Sequence, residues 1–334
     1  MKNINDKLIK VGIVGAAGYT ASELLRILKS HPDVELTSLV SKSQTGKYVN
    51  DVHQDLFELG NRKFDDKLEV NKIDVVFLCG GHGASKAFLE SKENASLFES
   101  NVRIVDLSQD YRISGDHPFV YGLTEFFSES IKESKYVANP GCFATCIQLA
   151  LAPLAKHQKL NADIHITAIT GSTGAGQSPS KTTHFSWRQN NISAYKSFAH
   201  QHEKEINQTL KLLQPNWTGQ LCWVPLRGDF ARGIFATIQI RLDESIETIR
   251  QIYNTEYEQQ PFAHLIREGS NLHLKQVVNT NHFAVQLEKH DGYLHITACI
   301  DNLLKGASGS AVQNMNLMLG LPANTGLNIS GTGF

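Results

Sequence analysis

The sequence of 334 residues predicts an α/β protein of two domains. Segments typical of strands and helices alternate over residues 1–155, which is the pattern of a mainly parallel, doubly wound sheet. Strand segments then cluster with few helices between them, which favours a second, α+β domain with a mostly antiparallel sheet. We therefore place the first domain at 1–155 and the second at 156–305, and expect the C-terminal segment 306–334 to return to the first domain.

The composition and net charge limit the classes of molecule that the protein is expected to bind. The chain has 41% hydrophobic and 19% charged residues and a formal net charge of -1, which gives no electrostatic reason to expect nucleic acid or an anionic membrane. Residues 1–10 carry scattered charges without an apolar core, so we expect no signal peptide and a cytoplasmic protein. The five cysteines are widely spread, which argues against a disulfide framework or a metal site. The expected ligand is a small molecule.

The first element is a strand at 10–15, followed by a glycine turn and an amphipathic helix at 21–29. A strand, a glycine turn and a helix open a Rossmann-like dinucleotide-binding unit, although a glycine turn in a cofactor-free α/β domain looks similar. The fingerprint is Gly-x-x-Gly-x-x-Ala. The predicted cofactor contacts in this turn are Gly15, Ala16, Ala17, Gly18, Tyr19 and Thr20.

The second predicted strand, 34–40, ends where such units recognise the adenosine ribose. An NAD-binding unit usually has an acidic residue there, which bonds the ribose hydroxyls. This chain has Ser41, Lys42 and Ser43 instead. A cation and two hydroxyls suit a 2′-phosphate, so we predict NADP as the cofactor.

Further strands are predicted at 74–79 and 102–107, with a helix at 85–99 between them. The Gly80-Gly-His-Gly83 loop follows the first of these strands, at the edge where parallel sheets bind ligands. Arg112 follows the second strand. Its guanidinium suits an oxyanion or a phosphate, while a surface salt bridge is the ordinary alternative.

Cys142 lies where a tight turn meets a helix. Pro140 and Gly141 favour the turn, and the apolar run 143–154 favours the helix. A helix N-terminus stabilises a thiolate, which would make Cys142 a nucleophile. The alternative is a buried structural cysteine. Cys146 lies one helical turn further on, so we interpret it as a packing residue that could oxidise onto its neighbour.

The second domain is predicted to contain strands at 162–170, 221–226, 233–241, 284–288 and 293–300, with a helix at 246–258. A Gly- and Ser-rich loop at 171–180 follows the first of these strands. Such a loop can wrap around a ligand, or it can serve only as the connection between two elements. His200 and His202 precede a helix that runs to Leu213. Two histidines at this spacing suit a metal only with a third ligand, and none is near, so acid/base work is the better interpretation.

With these residues in view, the chain resembles the N-acetyl-γ-glutamyl-phosphate reductase family, relatives of aspartate-semialdehyde dehydrogenase. The resemblance spans nearly the whole length. It is carried by Val14–Thr20, Val105–Arg112, Asn139–Thr145, Gly174–Gly176, His200–His202 and Asp301–Ala307 continuing to Pro322. The chain departs from the family pattern at Ala21, Cys146, Cys79–Gly83 and Gln177.

The resemblance implies a reaction in which NADPH reduces an acyl phosphate through a thioester on Cys142, as part of arginine biosynthesis. It implies that Cys142 and His202 are catalytic. The implied substrate contacts are Arg112, Asn139, Lys196 and His200. The implied cofactor contacts, besides those already named, are Gly174, Gly176 and Asn314.

Three alternatives stay open from the sequence. The substrate could be the N-succinyl compound, the enzyme could be an aspartate-semialdehyde dehydrogenase, or the chain could be a non-catalytic NADP-binding sensor. Either His200 or His202 could be the base. The resemblance also implies a homo-oligomer, a dimer or a tetramer.

Overall fold

The structure, a computed structural model, describes residues 7–333, so the predicted domain ends at 1–6 and 334 lie outside it. The chain forms two compact units. Unit 1 runs to Asn139 and includes Ser308–Leu327; unit 2 comprises Pro140–Ala307 and resumes at Asn328. The change of unit therefore falls at 139–140 and not at the predicted 155–156, because the helix that begins at Cys142 packs on the sheet of unit 2.

Unit 1 contains one sheet in which every pairing is parallel, in the order β2-β1-β3-β4-β6-β5. Its strands are β1 (Ile9–Val14), β2 (Val34–Val40), β3 (Val75–Leu78), β4 (Arg103–Asp106), β5 (Val120–Tyr121) and β6 (Tyr136–Ala138). Its helices before residue 140 are α1 (Tyr19–Leu28), α2 (Val49–Val52), α3 (Ala84–Glu90) and α4 (Thr124–Glu133). The strand order reverses direction at β1 and β3, the position where doubly wound sheets open a ligand crevice.

The predicted helix at 85–99 is shorter in the structure. Helix α3 ends at Glu90, and only a short 3-10 turn, Ala95–Leu97, follows. The hydroxyl of Ser91 and the amide of Asn94 both donate to the carbonyl of Phe88, at 2.8 and 3.3 Å. Such side-chain bonds compete with the helical backbone ladder, which explains the break.

Unit 2 contains a mixed sheet in the order β11-β12-β13-β10-β7-β9-β8. Its strands are β7 (Ile164–Thr170), β8 (Ser193–Ala194), β9 (Leu221–Arg227), β10 (Ile234–Arg241), β11 (Ala263–Leu265), β12 (Phe283–His290) and β13 (Tyr293–Ile300). Its helices are α5 (Cys142–Lys156), α6 (Phe185–Arg188), α7 (His202–Leu213) and α8 (Ile246–Tyr257). Four of the six strand pairings are antiparallel, which confirms the predicted fold class.

Helix α5 is the buried centre of unit 2. Its side chains from Phe143 to Ala155 are all buried, and it packs against α7, α8 and the sheet. Pro153 lies inside the helix and has no N–H to donate to the carbonyl of Leu149. The hydroxyl of Tyr257 donates to that carbonyl instead, and Tyr253 donates to the carbonyl of Ala150. A side chain of helix α8 thereby gives the Leu149 carbonyl the hydrogen bond that Pro153 cannot donate.

The last helix, α9 (Gly309–Met318), belongs to unit 1, where it packs against α1 and α4. The hydroxyl of Ser308 donates to the carbonyl of Thr20 at 2.7 Å, which holds the start of α9 beside the glycine turn after β1. Within residues 7–333, no helix combines the length and the apolar composition needed to cross a bilayer.

Candidate active site

Cys142 is the first residue of α5, as the sequence predicts. Gly141 precedes it in an extended conformation, and both the backbone N–H and the hydroxyl of Thr145 donate to the Gly141 carbonyl. The thiol is half-buried, whereas Cys146 and Cys299 are buried, and burial raises the pKa of each of those two. The free N–H groups of the first helical turn favour negative charge at Cys142. Of the two half-buried cysteines of unit 2, Cys142 and Cys222, Cys142 is the one at a helix N-terminus, and its role as nucleophile stays a prediction.

A backbone segment of unit 2 confines Cys142. A Cβ atom at Gly306 would lie 2.9 Å from the Cβ of Cys142, so only glycine fits without displacing the thiol. The carboxylate of Asp301 anchors this segment, since it accepts from the backbone N–H groups of Leu303 and Leu304 and from Arg232. The motif that begins at Asp301 thus holds the backbone of Gly306 against Cys142.

Glu205 and His202 lie beside the start of α5. The Oε2 atom of Glu205 accepts from the backbone N–H of Gly141 at 2.9 Å, and its Oε1 lies 3.9 Å from Nε2 of His202. His202 is 6% and Glu205 2% exposed. A carboxylate beside an imidazole orients the ring and stabilises its protonated form. We did not single out Glu205 in the sequence, although its spacing three residues after His202 on a helix is a readable signal.

His200 has a different environment. Its Nδ1 accepts from the backbone N–H of His202 at 3.2 Å, and its ring lies 4.7 Å from the ring of His202. Burial lowers the pKa of His200 to about 3, with help from the charges of His202 and Lys196. His200 is therefore neutral at ordinary pH. Of the two histidines, His202 is the one whose ring nitrogen lies 3.9 Å from an oxygen of the Glu205 carboxylate.

Aromatic contacts extend this cluster towards β9. The ring of His200 lies 5.5 Å from Phe143 and 5.7 Å from Tyr195, and the guanidinium of Arg227 lies 4.6 Å above the ring of Tyr195. Burial raises the pKa of Tyr195 to about 12, and a charged Cys142 contributes to the rise. We did not single out Tyr195 and Arg227 in the sequence, because they are 32 positions apart and meet only after folding.

The other predicted residues of unit 2 lie as follows. Lys196 is exposed, and its Nζ donates to Oε1 of Gln201 at 2.8 Å. Gly174 lies in the 3-10 turn Ser172–Ala175, and Gly176 follows it with a φ of 80°. The amide of Asn302 donates to the hydroxyl of Thr173 in the same turn. The roles of Lys196, Gly174 and Gly176 stay predictions.

Unit 1 contains a cavity of about 530 Å³ beside the ends of β1 and β2. Four predicted cofactor residues line it, namely Gly15, Ser41, Lys42 and Ser43. Gly15 has a φ of +81°, and a Cβ there would lie 2.9 Å from the carbonyl of Cys79, so the turn requires glycine. The remaining predicted residues, Ala16, Ala17, Gly18, Tyr19 and Thr20, form the rest of the turn and the first residues of α1.

This cavity suits the adenosine end of a dinucleotide. Lys67, which we did not single out in the sequence, brings a second cation to the lining beside Lys42. Two ammonium groups and the hydroxyls of Ser41 and Ser43 match the donors that a 2′-phosphate needs. The N-terminus of α1 next to the glycine turn suits a pyrophosphate.

Asn314 and Asn139 form a buried pair in unit 1. The Nδ2 group of Asn314 donates to Oδ1 of Asn139 and to the carbonyl of Gly122, each at 3.0 Å. The Oδ1 atom of Asn314 is buried and has no hydrogen-bond partner among residues 7–333. A buried acceptor in this position fits a donor such as the carboxamide of a nicotinamide.

Arg112 is also buried in unit 1. Its Nε donates to the carbonyl of Asn139 and its Nη2 to the carbonyl of Leu107, both at 2.9 Å. These contacts hold the chain at the end of β6, immediately before the cysteine turn. A direct contact of Arg112 with substrate stays a prediction.

Comparison with known proteins identifies the family. Residues 10–134 match the NAD-binding domain of semialdehyde dehydrogenases, and residues 142–302 match their dimerisation domain. An N-acetyl-gamma-glutamyl-phosphate reductase of Phocaeicola vulgatus is 50% identical over 98% of this chain and 100% of its own length. The chain belongs to the N-acetyl-gamma-glutamyl-phosphate reductase family. A reductase of this name from Christiangramia forsetii is 51% identical over 96% of this chain and 98% of its own length. One from Flavobacterium johnsoniae is 49% identical over 98% of this chain and 100% of its own length.

Solved structures show the same fold at low identity. Aspartate semialdehyde dehydrogenase II of Vibrio cholerae, crystallised in complex with ASA, matches with a TM-score of 0.72 and 16% identity over 94% of this chain and 98% of that one. The Candida albicans enzyme with NADP matches with a TM-score of 0.71 and 15% identity over 94% and 99%. The reductase family thus shares the semialdehyde dehydrogenase fold, as the resemblance implies.

Proposed function

We propose that this protein is the NADPH-dependent reductase that converts N-acetyl-γ-glutamyl phosphate to N-acetylglutamate 5-semialdehyde and phosphate in arginine biosynthesis. The observation that carries the proposal is Cys142 at the N-terminus of α5, with His202 and Glu205 beside it. Reductases of this name that are about 50% identical over nearly the whole chain support it.

The first half-reaction is acyl transfer to sulfur. His202 takes the thiol proton, and the Cys142 thiolate attacks the γ-carbonyl carbon. The bond from that carbon to the phosphate oxygen breaks, phosphate leaves, and a thioester remains on Cys142. Covalent catalysis of this kind divides one difficult step into two easier ones.

The second half-reaction reduces the thioester. NADPH, when bound, supplies the hydride that the carbonyl carbon accepts. The His202 imidazolium donates its proton to the oxygen, and the resulting thiohemiacetal stays attached to Cys142. Breakage of its carbon–sulfur bond releases the aldehyde and returns the proton to the thiol. Backbone N–H groups at the start of α5 stabilise the oxyanion.

The cofactor and substrate contacts complete the proposal. We assign the cofactor 2′-phosphate to Ser41, Lys42 and Ser43, since these residues line the cavity of unit 1. We assign the nicotinamide carboxamide to the buried acceptor of Asn314. Further cofactor contacts are assigned to Gly174 and Gly176. The substrate contacts proposed from the sequence are Arg112, Asn139, Lys196 and His200.

A steady-state comparison in the aldehyde-oxidising direction tests this function. N-acetylglutamate, N-succinylglutamate and aspartate semialdehydes are each supplied with phosphate and NADP⁺ or NAD⁺, and NADPH or NADH formation is followed by absorbance. We expect the highest kcat/KM for N-acetylglutamate semialdehyde with NADP⁺, and dependence on phosphate.

The other outcomes of this comparison are equally defined. A higher kcat/KM for the N-succinyl compound would keep the chemistry and change the acyl group. Preference for aspartate semialdehyde would assign the chain to the other branch of the superfamily. No turnover of any aldehyde, together with retained NADP⁺ binding, would leave the sensor as the remaining function.

We also propose that the enzyme is a cytoplasmic homo-oligomer, a dimer or a tetramer. The match to a dimerisation domain supports the homo-oligomer. One face of the unit 2 sheet is covered by α5 and α8, while the other face of β10 presents the half-buried side chains Phe235, Thr237 and Gln239. We propose that a second copy covers this face.

Mass photometry at assay concentration tests the assembly. We expect a mass of two or four chains, and a shift to the single-chain mass in a Thr237→Arg variant, because an uncompensated charge in the interface is costly. Lys211→Gln, at an exposed position of α7, is the control and should keep the parental mass. A single-chain mass for the parent protein would contradict the proposal.

A further inference from the structure

Three cationic side chains of unit 2, those of Arg232, Lys196 and Arg188, have hydrogen-bond partners in the protein. Arg232 binds the carboxylate of Asp301 with two nitrogens, at 3.0 and 3.1 Å. The Nζ of Lys196 donates to Gln201. Arg188 donates to the carbonyls of Thr182, Asn191 and Arg227 and to the hydroxyl of Ser193.

Arg227 differs from these three, because one of its donors is buried and unpaired. Its guanidinium lies 4.6 Å above the ring of Tyr195, and its Nε is buried. The side chain of Tyr195 forms a hydrogen bond with this guanidinium, but Nε has no hydrogen-bond partner among residues 7–333. A buried, unpaired donor on a cation is costly, so its retention indicates a ligand that is not part of the chain.

The backbone of Arg227 is held firmly. Arg227 is the last residue of β9, where it pairs with Thr170 of β7 and with Ser193 of β8. Its carbonyl accepts from Nη1 of Arg188 at 2.6 Å. A guanidinium on a fixed backbone, stacked on an aromatic ring, loses little side-chain freedom on binding a ligand.

Arg227 is also close to the reacting groups. Tyr195, under the guanidinium, lies 5.7 Å from the ring of His200, and that ring lies 5.5 Å from Phe143, the neighbour of Cys142. The positive charge of Arg227 contributes to the lowered pKa of His200. An anion bound at Arg227 would therefore lie within the reach of a small substrate attached to Cys142.

We propose that Arg227 is a substrate-binding residue that receives a carboxylate of the acyl substrate through its guanidinium. This inference rests on the proposed function, because that substrate carries an α-carboxylate in every N-acylglutamyl form. An N-succinyl form carries a second carboxylate at the end of its acyl group. A guanidinium binds either one by two parallel N–H···O bonds, which an ammonium cannot reproduce.

The test uses Arg227→Gln and Arg227→Lys in the aldehyde-oxidising assay, with separate KM values for semialdehyde, phosphate and NADP⁺. For Arg227→Gln we expect the semialdehyde KM to rise about 10- to 100-fold, the range for lost hydrogen bonds to charged groups. The other two KM values should stay unchanged, and kcat should change less than the semialdehyde KM. Arg227→Lys should recover only part of the loss.

The KM values for two different semialdehydes show which of the two carboxylates Arg227 binds. An equal rise in KM for the N-acetyl and N-succinyl compounds would assign Arg227 to the α-carboxylate. A rise for the N-succinyl compound alone would assign it to the acyl terminus. The matched control is Arg241→Gln, since Arg241 also lies over a tyrosine, at 6.0 Å from the ring of Tyr293, on an exposed strand end.

Unchanged KM values in Arg227→Gln would overturn the inference, and so would a rise confined to phosphate. A lower melting temperature with unchanged KM would assign Arg227 a merely structural role and would overturn it as well. If the glutamine variant does not fold, the lysine variant carries the same measurement. A parent enzyme that oxidises none of the N-acylglutamate semialdehydes would remove the proposed function itself, a different and recognisable result.

Discussion

A Cys142→Ser variant is expected to lose phosphate-dependent NADP⁺ reduction by at least about 10³-fold, since nucleophile deletions in covalent enzymes have effects of this order or larger. Serine keeps the shape of the side chain, but its hydroxyl stays protonated where the helix N-terminus would stabilise a thiolate. The measurement is kcat with an N-acylglutamate semialdehyde, supported by trapping of the thioester and mass spectrometry of the parent enzyme.

NADP⁺ binding is the control for this variant. The proposed cofactor residues that line the cavity all belong to unit 1, whereas Cys142 belongs to unit 2, so the dissociation constant for NADP⁺ should not change. Cys146→Ser provides a second control, because Cys146 is buried on the same helix and has no part in the proposed chemistry. Turnover by Cys142→Ser at the parental rate would refute the thioester mechanism.

A His202→Gln variant is expected to lower kcat by about 10²- to 10⁴-fold, the usual contribution of a positioned acid/base group. The proposed reaction moves one proton from sulfur to an oxyanion and back, and glutamine cannot carry it. Hydride transfer should become slower together with acylation, since His202 serves both. In the aldehyde-oxidising direction, single-turnover measurement of NADPH formation and of the phosphate-dependent loss of the thioester checks the two steps separately.

His200→Gln is the matched control for this second prediction. Its pKa of about 3 keeps His200 neutral, and its Nδ1 is already engaged with the backbone of His202, so its loss should affect kcat much less. A His202→Gln enzyme as fast as the parent, with a slow His200→Gln enzyme, would transfer the base to His200. Equal melting temperatures for both variants would show that the comparison concerns chemistry.

Local patterns predicted the elements well where local chemistry decides them. The strand predicted at 34–40 is Val34–Val40 in the structure, because a β-branched and apolar segment lies between two turns. The helix beginning near Cys142 follows from a Pro-Gly turn before an apolar run. The prediction of a helix at 85–99 was wrong over its second half. Ser91 and Asn94 form side-chain hydrogen bonds to the backbone there, and hydrophobic periodicity gives no sign of such bonds.

The boundary between the two domains was difficult to predict for a different reason. An apolar helix such as α5 signals burial in the sequence, but the pattern does not say against which sheet it packs. The contacts of α5 with α7, α8 and β13 assign it to unit 2, and the limit falls before Cys142. Cys142 therefore belongs to the same compact unit as His200 and His202.

The sequence by itself determined the α/β class, the family, the dinucleotide-binding opening and the cysteine at a helix N-terminus, because these depend on residues adjacent in the chain. Only the tertiary structure decided that Glu205 lies beside His202 and Gly141, that Gly306 lies against Cys142, and that Nε of Arg227 is buried without a hydrogen-bond partner in the described residues. Distances, burial and unpaired donors arise where distant segments pack together. Spacing along the chain does not encode them.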